Sequence, residues 1–531
     1  MAADGEQILR RLERMKTARS VVETDIRDCY RYTDPARGAG FEMLGTVPAD
    51  GALSAASVIH DKKADLLTDV GTEAARIHAS ALMSGSTPAN TLWFGLDVDG
   101  AQQADKQWLE QAAHTIWTNI HASNYDAVGF DCMWDMTIAG QFVLFADEAP
   151  EGGYHFEQWP LANCYFASTK ASGPVDTVFN EFSLTAEQAI AEYGENMLPE
   201  KVVEAFREKP DTSFNFVRAV YPRMGANGKF ARNLPIASCH VEKDSKRVVR
   251  ESGYHESPVS VPRWRILPGS QYSLGPTYDA LPTLKTLNKA VEMVLANMDL
   301  AVAGMWIAED DGVLNAKTIK IGARKVIVAN SVDSMKALQP AAKFDAAFLQ
   351  IERLEAQVRR NYMADQLSPA TDGPVISATE AAIRDERIRQ LLGPIYGRTQ
   401  SEFLQWLVLR CFGIAYRAGA LGAAPPSLQG KVVSVRYASP LARSQRAVEV
   451  AAMDRYEQTL GAHAAAGMTD ALDGYEWDES RRLRAELMGV PLKLIKDQDA
   501  IDATRKQRQA AAQQAQAMQL ASAAATSAPM Q

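Results

Sequence analysis

Apolar residues recur at helical spacing in two segments that bracket a short insert rich in strand-forming residues. Residues 280–302 have apolar side chains at Leu284, Leu287, Val291, Val294, Leu295, Met298 and Val302. Residues 344–362 have them at Phe344, Phe348, Ile351, Leu354, Val358 and Tyr362. This spacing places each set on one face of a helix, so both segments are predicted to be amphipathic helices.

The insert between these helices is predicted to contain β-strands at residues 305–307 and 325–328, with a turn at residues 310–312. The order of elements describes a hairpin of two helices with a small sheet at its tip, an arrangement typical of rings built around a channel. Each apolar stripe is too long for one hairpin to bury by itself. We therefore predict that neighbouring copies of the chain meet through Leu295, Met298, Phe348, Ile351 and Val358.

A stiff loop and a long helix follow the hairpin. Residues 367–376 contain Pro369, Gly373 and Pro374, so no helix continues through them. Ser377-Ala378-Thr379-Glu380 forms a capping box that restarts a helix. Its apolar pattern persists to residue 418 and is interrupted at Gly393-Pro394, where we predict a kink rather than an end.

The rest of the chain mixes helices and strands, which predicts an α+β protein that is mainly helical. Helices are predicted at residues 7–32, 61–83 and 105–123, with two short ones within 184–206. Strands are predicted at residues 141–145, 155–159, 177–182, 216–221, 236–241 and 247–251, and a loop at 38–52. Residues from 439 onward are predicted to be helical, ending in a flexible Ala/Gln/Ser-rich tail from residue 509.

Composition narrows the class of protein. The chain has 531 residues, 47% of them hydrophobic, which is ordinary for a soluble protein of several domains. Its five cysteines lie far apart, which predicts reduced thiols rather than disulfides or a zinc site. It has neither a signal-peptide pattern at its start nor a run of about 18 apolar residues, so we expect no membrane segment. A net charge of −9 argues against tight binding of nucleic acid over the whole surface.

Candidate catalytic motifs each have a simpler structural explanation. Gly85-Ser86-Thr87-Pro88 lacks the lysine of a phosphate-binding loop, and His60-Asp61 has no nucleophile elbow. The pairs His114/His121 and Asp97/Asp99 have no third metal ligand, and the tryptophans at 93, 108 and 117 are most simply core residues. Arg481, Arg482 and Arg484 are most simply a solvated helix face. We therefore predict no catalytic, cofactor or metal site, and no enzyme.

Several short sequence motifs spread along the chain resemble those of one family. They are Arg27-Asp28-Cys29-Tyr30-Arg31-Tyr32-Thr33-Asp34-Pro35, Leu82-Met83-Ser84-Gly85-Ser86-Thr87-Pro88, Pro262-Arg263-Trp264, Leu281-Pro282-Thr283-Leu284, Ala378-Thr379-Glu380, Leu392-Gly393-Pro394-Ile395 and Gly489-Val490-Pro491. Their order and spacing resemble the head-to-tail connector, or portal protein, of short-tailed bacteriophages (podoviruses). One departure is Ser273-Leu274-Gly275, where the family usually has glycine-arginine-glycine before the first stem helix.

The resemblance implies a portal-type fold with named regions. These are an α/β wing at residues 1–276, stem helices at 277–302 and 343–366, a strand-rich clip at 303–342, a channel loop at 367–376, a long kinked wing helix and return segment at 377–438, and a helical crown at 439–508 before the tail at 509–531. The channel-loop residues are Leu367, Ser368, Pro369, Thr371, Asp372, Gly373 and Pro374. In the clip, Lys317, Lys320, Arg324 and Lys325 are expected to dock the motor and then the tail.

The resemblance also implies a function. The chain is expected to form a dodecameric ring at one capsid vertex of a virion that is assembled in the host cytoplasm. Its expected partners are other copies of itself, double-stranded DNA passing without sequence specificity, the terminase motor, tail or adaptor proteins, and capsid and scaffolding proteins. The alternative is a helical adaptor or scaffold that binds other proteins without forming a DNA channel. An unrecognised enzyme is a more distant third.

Overall fold

The computed structural model describes residues 4–42, 65–100, 102–170, 173–223, 233–303, 305–308, 335–338, 344–367, 397–428, 430–437, 440–466, 474–488, 490 and 498–526. Its helices are α1 (Gly5–Arg31), α2 (Pro35–Glu42), α3 (Val70–Ser86), α4 (Gln103–Ala122), α5 (Tyr125–Ala139), α6 (Ala186–Tyr193), α7 (Glu200–Glu208), α8 (Pro276–Ala303), α9 (Phe344–Asn361), α10 (Ala364–Leu367), α11 (Gln405–Arg417), α12 (Pro440–Ala465), α13 (Trp477–Met488) and α14 (Gln498–Thr526). A π-helical turn, Gln400–Leu404, directly precedes α11.

The strands are short and antiparallel, and they form several small sheets. They are β1 (Phe94–Asp97), β2 (Leu144–Glu148), β3 (Tyr154–Gln158), β4 (Cys164–Ala167), β5 (Thr177–Thr185), β6 (Ser213–Pro222), β7 (Ile236–Glu242), β8 (Val248–Tyr254), β9 (Val259–Ser260), β10 (Arg265–Ile266), β11 (Ser273–Leu274), β12 (Met305–Ala308), β13 (Met335–Leu338) and β14 (Ser434–Tyr437). The largest sheet has the order β4-β5-β6-β7-β8, and a three-stranded sheet has the order β3-β2-β9.

The first compact unit comprises residues 1–83, 124–150 and 155–410, and its five-stranded sheet is covered on both faces. Ile8, Leu12 and Met15 of α1 pack on the face that includes Val217. The short helices α6 and α7 pack on the opposite face, which includes Phe216. Adjacent residues of β6 thus enter different cores, as the two-residue period of a strand requires. This sheet and its helices form the body from which α8 departs.

A buried arginine fixes α1 to this body. The Arg19 guanidinium donates to the backbone carbonyls of Leu161, Ala162 and Cys164. It also lies 4.2 Å from the ring centroid of Tyr165. An arginine that is 2% exposed is tolerated here because its N–H groups find carbonyl acceptors.

The second compact unit comprises residues 84–123, 151–154 and 411–531. Strands β1 and β14 pair from Phe94 opposite Tyr437 to Asp97 opposite Ser434, and α4 packs beside β1. Further along, α12 packs against α13, where the Arg484 side chain lies 2.5 Å from the carboxylate of Glu457. Arg505 of α14 donates two hydrogen bonds to the carboxylate of Asp478.

Most predicted elements of the described residues are confirmed. The predicted helices at 7–32 and 105–123 correspond to α1 and α4, and the pair within 184–206 corresponds to α6 and α7. The six strands predicted between residues 141 and 251 overlap β2, β3, β5, β6, β7 and β8. The apolar stripe of α1 is buried as expected, since Ile8, Leu12, Met15, Val22, Ile26 and Cys29 are all core residues.

Two predicted elements differ from the structure, and one helix was not predicted. Residues 38–42 belong to α2 rather than to a loop, and Phe41 of that helix stacks on Tyr30. Helix α3 begins at Val70 and not at residue 61, because Asp69 is the residue whose carbonyl accepts the first helical bond, from Glu73. Helix α5 was not predicted, because it is buried on nearly all sides and has no amphipathic stripe. Residues 509–526 continue helix α14, which agrees with the high helix propensity of alanine and glutamine, and the flexibility of this tail stays a prediction.

Candidate functional site

The two predicted amphipathic helices form an antiparallel pair. Helix α8 confirms the prediction for residues 280–302 and α9 the prediction for 344–362. Strands β12 and β13 pair beyond their ends, from Met305 opposite Leu338 to Ala308 opposite Met335. The strand predicted at 305–307 is thereby confirmed, whereas the one predicted at 325–328 lies outside the described residues.

The roots of both helices meet at a tight contact with α5. A Cβ atom on Gly275 would lie 2.8 Å from the carbonyl oxygen of Thr137, so only glycine fits immediately before α8. The Thr277 hydroxyl donates to that same carbonyl over 3.0 Å, and the buried Tyr362 hydroxyl donates to Thr277 over 2.7 Å. Gly275, which stands where the family's pattern also has a glycine, therefore serves a packing requirement.

A second set of polar contacts fastens α8 about two to three turns further out. The Asn288 side chain accepts from the Leu67 N–H at 2.8 Å and donates to the Asp65 carbonyl at 3.1 Å. The Lys285 ammonium lies 2.6 Å from the carboxylate of Asp28 on α1. These contacts fix the direction in which the helical pair leaves the body.

Beyond Asn288 the helical pair exposes large apolar side chains. Of the five residues predicted to contact neighbouring copies, Leu295, Met298 and Phe348 are exposed and Ile351 is half-buried. Val358 is fully buried within the chain, so it supports the packing of the subunit and is not available to a second copy. Met293 and Leu349 are exposed as well, although we did not single them out from the sequence. Exposed apolar patches of this kind mark surfaces that bind a partner.

A charged clamp holds the π-helical turn, Gln400–Leu404, that precedes α11. The Glu402 carboxylate accepts from the Arg263 N–H at 3.1 Å, from its Nε at 3.2 Å and from its terminal guanidinium nitrogen at 2.8 Å. Arg263 is 4% exposed, so this is a buried ion pair. Nearby, Arg398 donates to the Trp264 carbonyl at 3.0 Å.

The clamp coincides with the π-helical turn. In such a turn the N–H of Gln405 bonds to the carbonyl of Gln400, five residues back, so one extra residue is accommodated. The Ser260 hydroxyl donates to the Glu402 carbonyl at 2.8 Å. Ser260 and Arg263 together thus satisfy the backbone and side chain of the same residue in the turn. The kink predicted at Gly393-Pro394 lies outside the described residues.

Sequence reasoning missed this clamp because its members are distant in the chain. In the sequence, Arg263 stands out only as part of the motif Pro262-Arg263-Trp264, and Glu402 lies in a segment predicted to be an ordinary helix. A glutamate on the apolar side of that run, beside Phe403 and Leu404, was the available signal, because buried carboxylates need a cationic partner.

The candidate catalytic residues serve structural contacts where they are described. The Asp97 carboxylate lies 2.6 Å from Arg436, across the β1–β14 pair. His114 and His121 each contact the ring of Trp117 edge to face. Trp93 is buried, and all five cysteines are buried with free thiols.

Across the described ranges, no cluster of three His, Cys, Asp or Glu side chains has a metal-binding arrangement. No helix of the described chain is both long enough and apolar enough to cross a bilayer.

Several predicted residues cannot be placed. Leu367 is the last residue of α10, while the other channel-loop residues, Ser368, Pro369, Thr371, Asp372, Gly373 and Pro374, lie outside the described residues. The same holds for the basic clip residues Lys317, Lys320, Arg324 and Lys325, and for His60.

Burial of His78 makes the free energy of unfolding of the first compact unit depend on pH. The His78 Nδ1 lies 3.0 Å from the Thr137 hydroxyl, and its ring meets Trp264 edge to face. Burial lowers the pKa of His78 from 6.5 to about 4, because the charged imidazolium is poorly solvated there. The unfolded chain therefore binds more protons than the folded chain between those two values.

We expect the free energy of unfolding to be intact above about pH 6.5 and to fall by roughly 3 kcal/mol as the pH drops to 4. His240, whose pKa burial also lowers, adds to this loss in the same direction. A His78→Gln variant should lose less stability across that window than the wild type. Urea unfolding at pH 7 and pH 4.5 measures the difference; an unchanged pH dependence in the variant would contradict the assignment to His78.

A protein family and two phage proteins each match most of the length of this chain. Residues 5–495 match the bacteriophage head to tail connecting protein family. A probable portal protein of Bordetella phage BPP-1 is 26% identical over 471 residues, which cover 85% of this chain and 84% of that protein. A portal protein of Salmonella phage epsilon15 is 25% identical over 542 residues, which cover 98% of this chain and 94% of that protein.

A chain from the neck of an empty gene transfer agent particle matches 72% of this chain and 86% of its own length, at 12% identity and a TM-score of 0.35. The family match, by contrast, includes the body, the helical pair and the helices after it. This chain belongs to the bacteriophage head to tail connecting protein family.

Proposed function

We propose that this chain is a portal subunit, which forms a ring at one vertex of a phage capsid. The observation that carries the proposal is the pair α8 and α9, which is anchored at its root and exposes Leu295, Met298 and Phe348 further out. A lone subunit gains nothing from such a surface, whereas a ring buries it between neighbours. The two similar phage proteins, which are named as portal proteins, support the same conclusion.

In this proposal the ring is dodecameric and nucleates head assembly, and its channel passes double-stranded DNA during packaging and ejection. It docks the terminase motor first and tail proteins afterwards, in a short-tailed virion assembled in the host cytoplasm. The pair α8 and α9 is the stem, residues 303–342 are the clip, and residues 439–508 are the crown. The net charge of −9 suits the channel, because weak contact with phosphates lets the duplex slide.

Purification followed by light scattering tests the ring. The subunit has a mass of 58.0 kDa, so a closed ring elutes at many times that mass and is seen directly by negative-stain microscopy. A helical adaptor without a channel would instead elute as a monomer or dimer. The exposed stem surface and the family favour the ring over this alternative.

The clip offers a test of motor docking. Lys320, Arg324 and Lys325 lie among acidic residues of the insert, and mixed charge favours rapid, exchangeable association. We expect reversal of all three charges to leave rings intact and to reduce the DNA filling of heads. Filled and empty heads are separated by density-gradient centrifugation. Heads filled at the wild-type level would argue against docking through these residues.

The channel loop offers a test of DNA retention. Residues 367–376 carry Asp372 as their single charge, and their prolines restrict the backbone, which suits steric contact with DNA more than phosphate binding. Shortening the loop by several residues should preserve rings and capsids but let packaged DNA leak or stop its translocation. Nuclease protection of the packaged genome measures this. Full retention at normal packaging rates would show that the loop is not the collar of the channel.

A further inference from the structure

The helical pair carries exposed residues on two faces that its own packing does not use. On α8, Met293 is 56% exposed and lies about 200° around the helix from the half-buried Val291. On α9, Leu349 is 55% exposed and lies about 180° from the buried Val358. Each exposed side chain therefore stands on the far side of its helix from the buried one.

The far side of α8 forms a ridge. Lys289, Glu292, Met293 and Ala296 follow the i, i+3, i+4, i+7 spacing of one helix face, and we call them the α8 ridge. Its charged members are well exposed, and the Lys289 ammonium lies 2.9 Å from the Glu292 carboxylate. Met293 is the large apolar side chain of this face, and methionine adapts its shape readily to a groove.

The far side of α9 forms a groove of about 370 Å³. It is lined by Leu349, Glu352, Arg353, Ala356, Gln357 and Arg360, which we call the α9 groove. Leu349 and Ala356 supply apolar contact surface, and the two arginines, Arg353 and Arg360, outnumber Glu352, so the lining carries a net positive charge. The groove thus has the chemistry to accept an apolar side chain that is accompanied by a carboxylate.

The ridge and the groove stand at about the same height along the pair. Met293 lies ten residues before the end of α8, and the groove residue Arg353 lies nine residues after the start of α9. The two helices are antiparallel, and β12 and β13 pair beyond that end of both. A rotation about an axis along the helices would therefore bring the ridge of one copy level with the groove of another.

We propose that the α8 ridge of one subunit lies in the α9 groove of the next. Met293 packs between Leu349 and Ala356, and Glu292 faces Arg353 and Arg360. A closed ring needs such a contact between two different surfaces, because each subunit has one neighbour on either side. The inference rests on the ring of the proposed function and adds to it a second, directional contact beside the one expected at Leu295, Met298 and Phe348, since Leu295 lies about 200° around α8 from Met293.

Charge reversal on one side at a time tests the pairing. Glu292→Arg places a cation opposite the arginines of the groove, and Arg353→Glu with Arg360→Glu places carboxylates opposite Glu292. We expect each variant alone to lose the ring peak in light scattering and to remain a folded subunit. Glu195→Arg, an exposed charge reversal in the turn between α6 and α7, is the matched control and should form rings normally.

Mixing the two defective variants gives the decisive result. In an alternating ring, the reversed ridge of the Glu292→Arg variant meets the reversed groove of the other variant, so cation again faces carboxylate. The remaining interface has wild-type residues on both sides. An equal mixture should therefore recover rings, as should a single chain carrying all three substitutions. The single chain with all three substitutions excludes contact between two α8 ridges or between two α9 grooves. Such contacts would place like charges together in that chain, so rings from it identify the ridge-to-groove pairing.

The outcomes separate this inference from the proposed function. If wild-type protein forms rings and both variants also do, the pairing is wrong and the portal assignment stands. If the variants fail and their mixture fails as well, the ridge-to-groove contact is again wrong. If wild-type protein forms no ring at all, the proposed function itself is overturned.

Discussion

Replacing Leu295 by aspartate is expected to abolish ring assembly while leaving the subunit folded. Leu295 is 47% exposed in the single chain, so its replacement removes little packing inside the subunit. In a ring, the same position would bury a carboxylate without a partner, which costs several kcal/mol at each interface. Because the defect is repeated around the ring, no closed assembly should remain.

Light scattering and negative-stain microscopy measure this outcome, and Met197 supplies a matched control. Met197 is 45% exposed in the turn before α7, so Met197→Asp introduces the same charge at an equally exposed apolar position far along the chain from the stem. We expect rings from Met197→Asp and a folded monomer from Leu295→Asp. Ile351→Asp should also prevent assembly, although its half-buried position adds some cost to folding. Normal rings from the Leu295 variant would show that the stem assignment is wrong.

The sequence predicts elements well where one face of a helix or strand is buried. The stripe of α1 follows from a core on one side of the helix and a more exposed environment on the other. Helix α5 has no such contrast, because Cys132, Met133 and Trp134 are buried on adjacent sides. Periodicity therefore carries no signal where an element lies inside the body.

The candidate site also has a part that the sequence predicts and a part that it does not. Helices α8 and α9 were predictable from their apolar stripes, but the stripe alone did not separate Val358, which is buried in the subunit, from Leu295, which is exposed. The anchors of the stem were not predictable, since Asn288 binds the backbone of residues 65 and 67 more than 200 positions away. Contacts of this range depend on the tertiary fold and leave no local pattern in the chain.

Replacing Glu402 by glutamine is expected to destabilise the first compact unit by about 3 kcal/mol. The substitution keeps the size of the side chain but removes the charge that faces Arg263, which is 4% exposed. A buried guanidinium that loses its carboxylate retains its desolvation cost without the compensating attraction. The π-helical turn should loosen as well, because Glu402 is the residue through which Arg263 and Ser260 hold it.

Urea unfolding in the Leu295→Asp background measures this loss without interference from ring dissociation. The exposed pair of Arg265 and Asp279 is the matched control, because it has two similar hydrogen bonds, at 2.8 and 3.1 Å, with both side chains 52% exposed. Asp279→Asn should cost no more than about 1 kcal/mol.

Replacing the buried pair together, by Arg263→Met with Glu402→Leu, should recover much of the stability, since no unpaired charge then remains. If Glu402→Gln costs no more than Asp279→Asn, the clamp does not stabilise the start of α11, and the π-helical turn must be held by its backbone contacts alone.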